Sequence, residues 1–318
     1  MNKIILECKN LKKYFETPYG LLHAVDDISF TINEGQTLGI VGESGCGKST
    51  LGRTILQLLM PTSGEVIFEG DHVEGKNKKE MLPYRREMQI IFQDPYSSLD
   101  PRMTVSQLIA QPLKIHKVYK DKNEMEARVS ELMDTVGLAD RYVNMYPHEL
   151  DGGRRQRIGI ARALALNPKF IVCDEPVSSL DVSIQAQVLN LMMDLQDNLG
   201  FTYLFITHNL SVVKHISDYI GVMYLGKMVE KCPSDMLFER PLHPYTQGLL
   251  KAIPVPSLGY KDKITNALKG EISSPVNPKP GCRFAPRCPE ATEICTSEDP
   301  KFMEVESDHF VACHNWDK

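Results

Sequence analysis

The sequence predicts an α/β fold: a mostly parallel sheet dressed with helices, an antiparallel β edge, a helical insertion and a small C-terminal metal-binding extension. Three observations predict it. A short apolar strand, Thr37 to Val41, runs directly into Gly42-x-x-x-x-Gly47-Lys48-Ser49 and then into a helical pattern. Phe170-Ile-Val-Cys-Asp-Glu175 and Thr202-Tyr-Leu-Phe-Ile-Thr-His208 are unbroken apolar runs, the mark of strands buried on both faces, each ending in polar groups at its C-terminal edge. Strand patterns alternate with helical ones, which favours parallel pairing.

Taken in order, Ile4 to Cys8 is β-prone and Asp27 to Ile32 alternates well before the turn at Asn33-Glu-Gly35, giving the antiparallel edge. Between them, Leu11-Lys-Lys-Tyr14-Phe15 places two aromatics near a strand end, where one can stack on a base; Phe15 is favoured over Tyr14. Beyond the glycine loop a helix is expected from Leu51 to Met60, stopped by Pro61-Thr-Ser-Gly64 and followed by a strand at Glu65 to Glu69. Met88 to Gln93 reads as a strand ending in a neutral amide, then a turn at Asp94-Pro95. From Thr104 to Tyr146 the pattern is helical, with Met125, Val129, Leu132, Met133 and Val136 on one face. A polar glycine turn, Leu150-Asp151-Gly152-Gly153-Arg154, then opens an arginine-rich helix. Ile220 to Leu225 and Met228 to Cys232 pair as a hairpin around Gly226-Lys227. Past Pro233 the composition turns proline-rich, with one short helix at Thr246 to Ala252.

Thirty-six basic against 41 acidic side chains leave a net charge of −5 with no basic block, so nothing argues for nucleic acid. No apolar run approaches the ~18 residues of a membrane span, and the N-terminus lacks a signal-peptide core, so the chain is expected in the cytoplasm, reaching a membrane only through a partner.

The glycine loop is a phosphate-binding pattern. Gly42, Glu43, Ser44, Gly45, Cys46 and Gly47 turn successive N–H groups toward phosphate oxygens, Lys48 reaches the β/γ oxygens, Ser49 offers its hydroxyl to Mg²⁺, and Thr50 is expected to cap the helix. In chain order there follow a strand-end glutamine, a Gly-Gly turn before an arginine-rich helix, an Asp-Glu strand tip and a strand-tip histidine. Any one of these is weak evidence; the ordered set is strong.

With these stretches the sequence resembles the ATP-binding-cassette ATPases: Gly42 to Thr50 as Walker A, Gln93 as the glutamine loop, Leu150 to Arg154 as the signature turn, Ile171 to Glu175 as Walker B, Asp181 in the aspartate loop and His208 as the histidine switch. Gln93 to Met103, Asp181 to Gln187 and Leu242-His-Pro-Tyr-Thr246 are similar to the ATPase subunits of dipeptide/oligopeptide importers, over essentially the whole chain. The resemblance implies a cassette at residues 1–240 with an insertion at about 97–155, and an extension at 241–318. It implies ATP and Mg²⁺ as ligands, Asp174 with Ser49 and Gln93 on the metal, Glu175 as base for the attacking water, and His208 on the γ-phosphate. The signature turn would act in trans, capping nucleotide held by a second, related ATPase subunit in a head-to-tail heterodimer, with Asp181 in communication across it. Membrane permease subunits would be bound through the insertion, an extracytoplasmic peptide-binding protein would be an indirect partner, and the chain would sit on the cytoplasmic face of the membrane. Import of nickel, glutathione or oligosaccharides, or a soluble cassette role, are the alternatives. The turn departs from the family at Asp151 and Arg154, where Ser and Gln are usual; an unneutralised carboxylate there would repel a γ-phosphate.

Eight cysteines divide into two sets. Cys8, Cys46, Cys173 and Cys232 read as buried reduced thiols. Cys282, Cys288, Cys295 and Cys313 read as a ligand set. Four thiolates satisfy zinc or a [4Fe–4S] cluster; the absence of paired C-x2–4-C knuckles favours the cluster, with zinc the alternative. His309 and His314 are expected to be bystanders. The site is expected to stabilise a segment too poor in apolar residues to form its own core.

Overall fold

The computed structural model describes residues 3–253 and 274–317. In chain order these form β1 (Ile4–Thr17), β2 (Gly20–Asn33), β3 (Thr37–Val41), α1 (Lys48–Ile55), β4 (Ser63–Phe68), β5 (Asp71–His72), α2 (Tyr84–Glu87) and β6 (Met88–Ile91). There follow α3 (Val105–Ile115), α4 (Lys122–Thr135), α5 (Gly152–Leu164), β7 (Phe170–Asp174), α6 (Val182–Leu199), β8 (Thr202–Ile206) and α7 (Leu210–Ile216). The chain continues with β9 (Tyr219–Tyr224), β10 (Lys227–Pro233), α8 (Ser234–Glu239), α9 (Pro244–Lys251), α10 (Glu293–Ser297), β11 (Met303–Glu306) and β12 (His309–Val311). It divides into two compact units: Met1–Ile5, Asn33–Gln36 and Gly75–Ile206 form one, and Leu6–Ile32, Thr37–Glu74 and Thr207–Lys318 the other.

In the first unit β6, β7 and β8 pair in parallel, Met88 opposite Phe170 and Phe170 opposite Thr202. Every residue of β7 and β8 is buried, as their unbroken apolar sequence requires. Thr104 opens α3 with a capping box shared with Gln107, and Asp121 caps α4 through the Asn123 amide. On α4, Val129, Leu132 and Met133 are buried as expected, while Met125 at the first turn is only half-buried.

In the second unit β3 lies parallel to β9, and β10 and β12 extend that sheet antiparallel from β9, with β11 beyond. A second sheet, ordered β2-β1-β4-β5, carries the antiparallel edge. Four sequence expectations are corrected. Strands β1 and β2 are far longer than Ile4 to Cys8 and Asp27 to Ile32, because the ladder continues through the partly exposed stretches Lys9 to Thr17 and Gly20 to Val25. The helix after the glycine loop ends at Ile55, not Met60. The β9–β10 turn is Leu225-Gly226, both at positive φ (44° and 85°), a two-residue turn whose twist suits a hairpin. The C-terminal segment also adds a hairpin to the sheet and puts Phe284 into a core with Tyr224, Tyr245, Val222 and Leu237, so it is not the coreless segment expected. Among the described residues, no helix is long and apolar enough to cross a membrane.

Candidate functional site

The phosphate loop lies in the second unit. Gly47, at φ 105°, is the N-cap of α1, so Thr50 is not the cap as expected; it sits one turn in, its carbonyl accepting from the Thr54 hydroxyl. A side chain at Gly47 would place Cβ 1.9 Å from the Ala24 carbonyl, and one at Gly42 would lie 2.1 Å from the Met223 carbonyl. Only glycine fits either place. Lys48 is buried at 4% exposure, and its ammonium donates to the carbonyls of Gly42 (2.8 Å) and Glu43 (3.0 Å). The Cys46 sulfur is 3.8 Å from that ammonium; burial pushes the thiol's pKa up, partly offset by the lysine charge. Ser44 and Gly45 are exposed, and Ser49 and Thr50 half-buried, so the loop has both an anchored and an open side. The geometry fits a polyphosphate: a fixed cation, a helix N-terminus, and backbone with no Cβ in the way.

The residues that sequence reasoning missed are Arg287, Tyr245, His23, Asp26 and Arg283, which contact the expected Glu43 and Tyr14. Arg287 makes a two-pronged ion pair with Glu43, at 2.8 and 3.0 Å, and the Glu43 amide donates to the Tyr245 hydroxyl at 2.9 Å. Tyr14 stacks on His23, ring centroids 3.9 Å apart, and its hydroxyl donates to Asp26; His23 and Arg283 hold the same carboxylate. Burial opposes ionisation of Asp26, but these hydrogen bonds and the Arg283 charge outweigh it and lower its pKa. Phe15 carries the Lys13 ammonium 4.8 Å above its ring.

The acidic residues belong to the first unit. Asp174 ends β7 and is almost fully buried. Glu175 follows at φ 48°, a conformation costly for a residue with a Cβ, held by its amide donating to the Ile206 carbonyl at 2.9 Å. Its carboxylate accepts from the Gln93 amide at 3.1 Å, so the unit brings these two predicted residues together. Asp181 caps α6 through the Ile184 amide. In the signature turn Asp151 caps α5, accepting from the Arg154 amide at 2.8 Å, and its other oxygen pairs with the Arg154 guanidinium. Leu150 and Gly153 are buried beneath this turn and Gly152 is half-buried. His208, in the second unit just past the last residue of β8, is exposed.

The four C-terminal cysteines act on one another electrostatically, with Cys282, Cys288 and Cys295 all bearing on Cys313. Burial pushes the Cys313 thiol up to about 11 and raises Cys282 and Cys288. The Asn315 amide donates to the Cys313 sulfur at 3.4 Å, while the Ala285 amide donates to the Cys282 carbonyl at 3.0 Å. Such an N–H···S donor suits a thiolate ligand. Among the described residues no three cysteine sulfurs lie within 4.8 Å of one another, the one such group of potential ligands being Glu230, Cys232 and His309. His309 instead pairs with Glu230 at 2.8 Å, and His314 bonds the Glu298 carbonyl, so neither stands in for a cysteine. Cys8, Cys46, Cys173 and Cys232 are buried free thiols as expected.

Residues 25–178 match the family model described as ABC transporter, and residues 229–295 match the oligopeptide/dipeptide transporter C-terminal region. The chain is 54% identical over 314 residues to the oligopeptide transport ATP-binding protein OppF of Bacillus subtilis, covering 98% of this chain and 97% of that protein. It is 46% identical over 311 residues to OppF of Haemophilus influenzae, covering 98% and 94%. Among solved structures it is similar to the dimeric ATP-binding cassette MJ0796 in a post-hydrolysis state with ADP and phosphate: TM-score 0.66 and 29% identity, covering 72% of this chain and 99% of the other.

Proposed function

Since the chain belongs to the ATP-binding-cassette transporter family and is an ATPase of that family, we propose that its ATP hydrolysis powers oligopeptide import across the cytoplasmic membrane. The observation that carries this reading is the pairing of a phosphate loop, with Lys48 buried and fixed at its mouth, with a C-terminal region matching the oligopeptide/dipeptide transporter model. In this reading Lys48 and the loop amides hold the nucleotide phosphates, and Phe15 or Tyr14 receives the base. Ser49, Asp174 and Gln93 hold Mg²⁺, which supplies charge neutralisation at the transferred phosphoryl group. Glu175, steered by Gln93, accepts a proton from the attacking water, and His208 hydrogen-bonds the γ-phosphate. Leu150 to Arg154 serve a nucleotide bound by a second ATPase subunit, and Asp181 links the two. The cassette spans about residues 1–240, with permease subunits contacting its helical insertion, at the cytoplasmic face of the membrane.

Within the same reading the extension holds a [4Fe–4S] cluster through Cys282, Cys288, Cys295 and Cys313. The mutual electrostatic influence of the four thiols, the Asn315 amide on the Cys313 sulfur and the absence of paired C-x2–4-C knuckles support it.

Reconstitution with the permease tests the assignment. Lys48→Ala should weaken Mg-ATP binding, whereas Glu175→Gln should bind Mg-ATP but lose most turnover and peptide uptake. Parent-rate hydrolysis by the Glu175→Gln transporter would remove Glu175 from the reaction.

A further inference from the structure

Two arginines of the cysteine-bearing segment reach the nucleotide loop, each next in sequence to a cysteine. Arg283 directly follows Cys282, and Arg287 directly precedes Cys288. Both are nearly buried, their side chains 8% and 4% exposed. Arg287 meets Glu43, inside the phosphate loop and next to Gly42, its two terminal nitrogens donating one to each carboxylate oxygen. Its Nη1 also bonds the Tyr224 hydroxyl at 3.4 Å, its guanidinium lies 5.8 Å from the Tyr224 ring centroid, and the pairing with Glu43 raises its pKa. Arg283 bonds the Leu225 carbonyl and the Asp26 carboxylate that also holds Tyr14 and His23.

The platform beneath is stiff. Tyr224, Tyr245 and Phe284 are 1%, 0% and 1% exposed and pack as an aromatic trio with centroids 4.7 to 5.4 Å apart. Tyr245 also accepts from the Glu43 amide, so Glu43 is fixed at backbone and side chain together. A bidentate arginine–carboxylate pair fixes direction as well as distance, which a lysine cannot reproduce. Nothing in the catalytic chemistry needs a carboxylate at position 43, whose charge would disfavour bound phosphate unless it were held and neutralised.

We propose that Arg287 and Arg283 are positioning residues of the nucleotide site. Through them the C-terminal extension sets the phosphate side of the site at Glu43 and the base side at Asp26. This goes beyond the proposed function but rests on its claim that the loop binds nucleotide. The extension is therefore a working part of the nucleotide site.

The experiment is equilibrium titration of the full-length chain with a fluorescent Mg-ADP analogue, alongside melting without nucleotide. Arg287→Gln and Glu43→Gln are each expected to raise Kd roughly five- to tenfold. The double variant should bind no more weakly than either single variant, because both remove the same contact. Arg287→Lys, which keeps the charge and guards against a variant that fails to fold, should recover part of the loss. Arg283→Gln and Asp26→Asn form a second cycle with the same expectation. Multiplying effects in the double variants, or parent Kd in Arg287→Gln with only its melting temperature lowered, would overturn the proposal. Lys48→Ala separates the two claims: if it loses nucleotide while Arg287→Gln does not, the loop is a nucleotide site and the positioning claim fails. If Lys48→Ala binds as the parent does, the nucleotide reading falls, and this inference with it.

Discussion

Asp151 and Arg154 neutralise one another at the mouth of α5: one carboxylate oxygen caps the helix through the Arg154 amide, and the other pairs with the Arg154 guanidinium, which also lies 5.0 Å from the Tyr142 ring centroid. The sequence alone raises the prospect of a bare negative charge in the turn that we propose faces a γ-phosphate. The pair instead presents almost no net charge, and the aspartate caps the helix, a role serine fills equally well.

This makes the arginine the more sensitive residue of the two. Asp151→Ser should change ATPase activity of the assembled transporter little, about twofold or less, since it preserves the cap. Arg154→Gln leaves the carboxylate unpaired near the phosphate, and at roughly 1 kcal/mol of repulsion should slow turnover about fivefold. The double variant should return to near the parent rate. Steady-state hydrolysis of the three variants checks it; an Arg154→Gln rate equal to the parent rate would show that the turn's charge is irrelevant.

The parts legible in the sequence are those whose signal is local. The glycine loop, the apolar runs of β7 and β8 and the polar residues at their tips all sit where the pattern puts them, because each is fixed by neighbours within a few residues. The contacts that surround the loop are not local. Arg287 lies 244 positions from Glu43, and Arg283 lies 257 from Asp26. No periodicity marks such partners, and an arginine beside a cysteine reads as a solvated charge. The length of β1 and β2 escaped for a different reason: partly exposed stretches carry polar residues such as Lys12 and Lys13 in β1 and His23 and Asp27 in β2, so the alternation that identifies a half-buried strand is lost there. Glu175 could not have been expected at φ 48°, since side-chain type says little about a strained backbone.

His243 gives the second unit an acid-sensitive joint. Its ring is buried and neutral, its Nδ1 accepting from the Tyr245 amide at 3.0 Å to cap α9, while its own amide donates to Glu230 at 3.0 Å. Burial pushes its pKa down to about 4, against the opposing pull of the Glu230 charge. An unfolded histidine titrates near 6.5, so between about 6.5 and 4 the unfolded chain binds more protons. Stability from this residue is therefore whole above about pH 6.5 and is lost as pH falls, by roughly 2 kcal/mol at pH 5. His243→Asn, which keeps a capping side chain, should melt with a flatter dependence on pH between 7 and 5. An unchanged slope would mean that other groups carry the acid sensitivity.

The cysteine site makes the last prediction, and the structure changes its form. A segment without a core would unfold with its metal, but Phe284 lies within the aromatic core, and Cys282 and Cys288 pack against that core from the outside. Loss of the ligand set should loosen the cysteine-bearing segment without unfolding the unit. Burial raises the pKa values of Cys282, Cys288 and Cys313, so these thiols are protonated at neutral pH without metal, and binding must release protons. Protein purified without oxygen should be brown, with broad thiolate-to-iron absorption near about 400 nm. Cys→Ser at any of the four positions should remove the colour while the melting temperature falls by only a few degrees. Uptake of iron and sulfide by the colourless protein should be favoured by raising the pH from 7 to 8, in the direction that thiol ionisation requires. Colourless protein carrying one equivalent of zinc by elemental analysis would replace the cluster with zinc. Collapse of the whole melting transition in the Cys→Ser variants would show instead that Phe284 and its neighbours cannot hold the segment without its ligands.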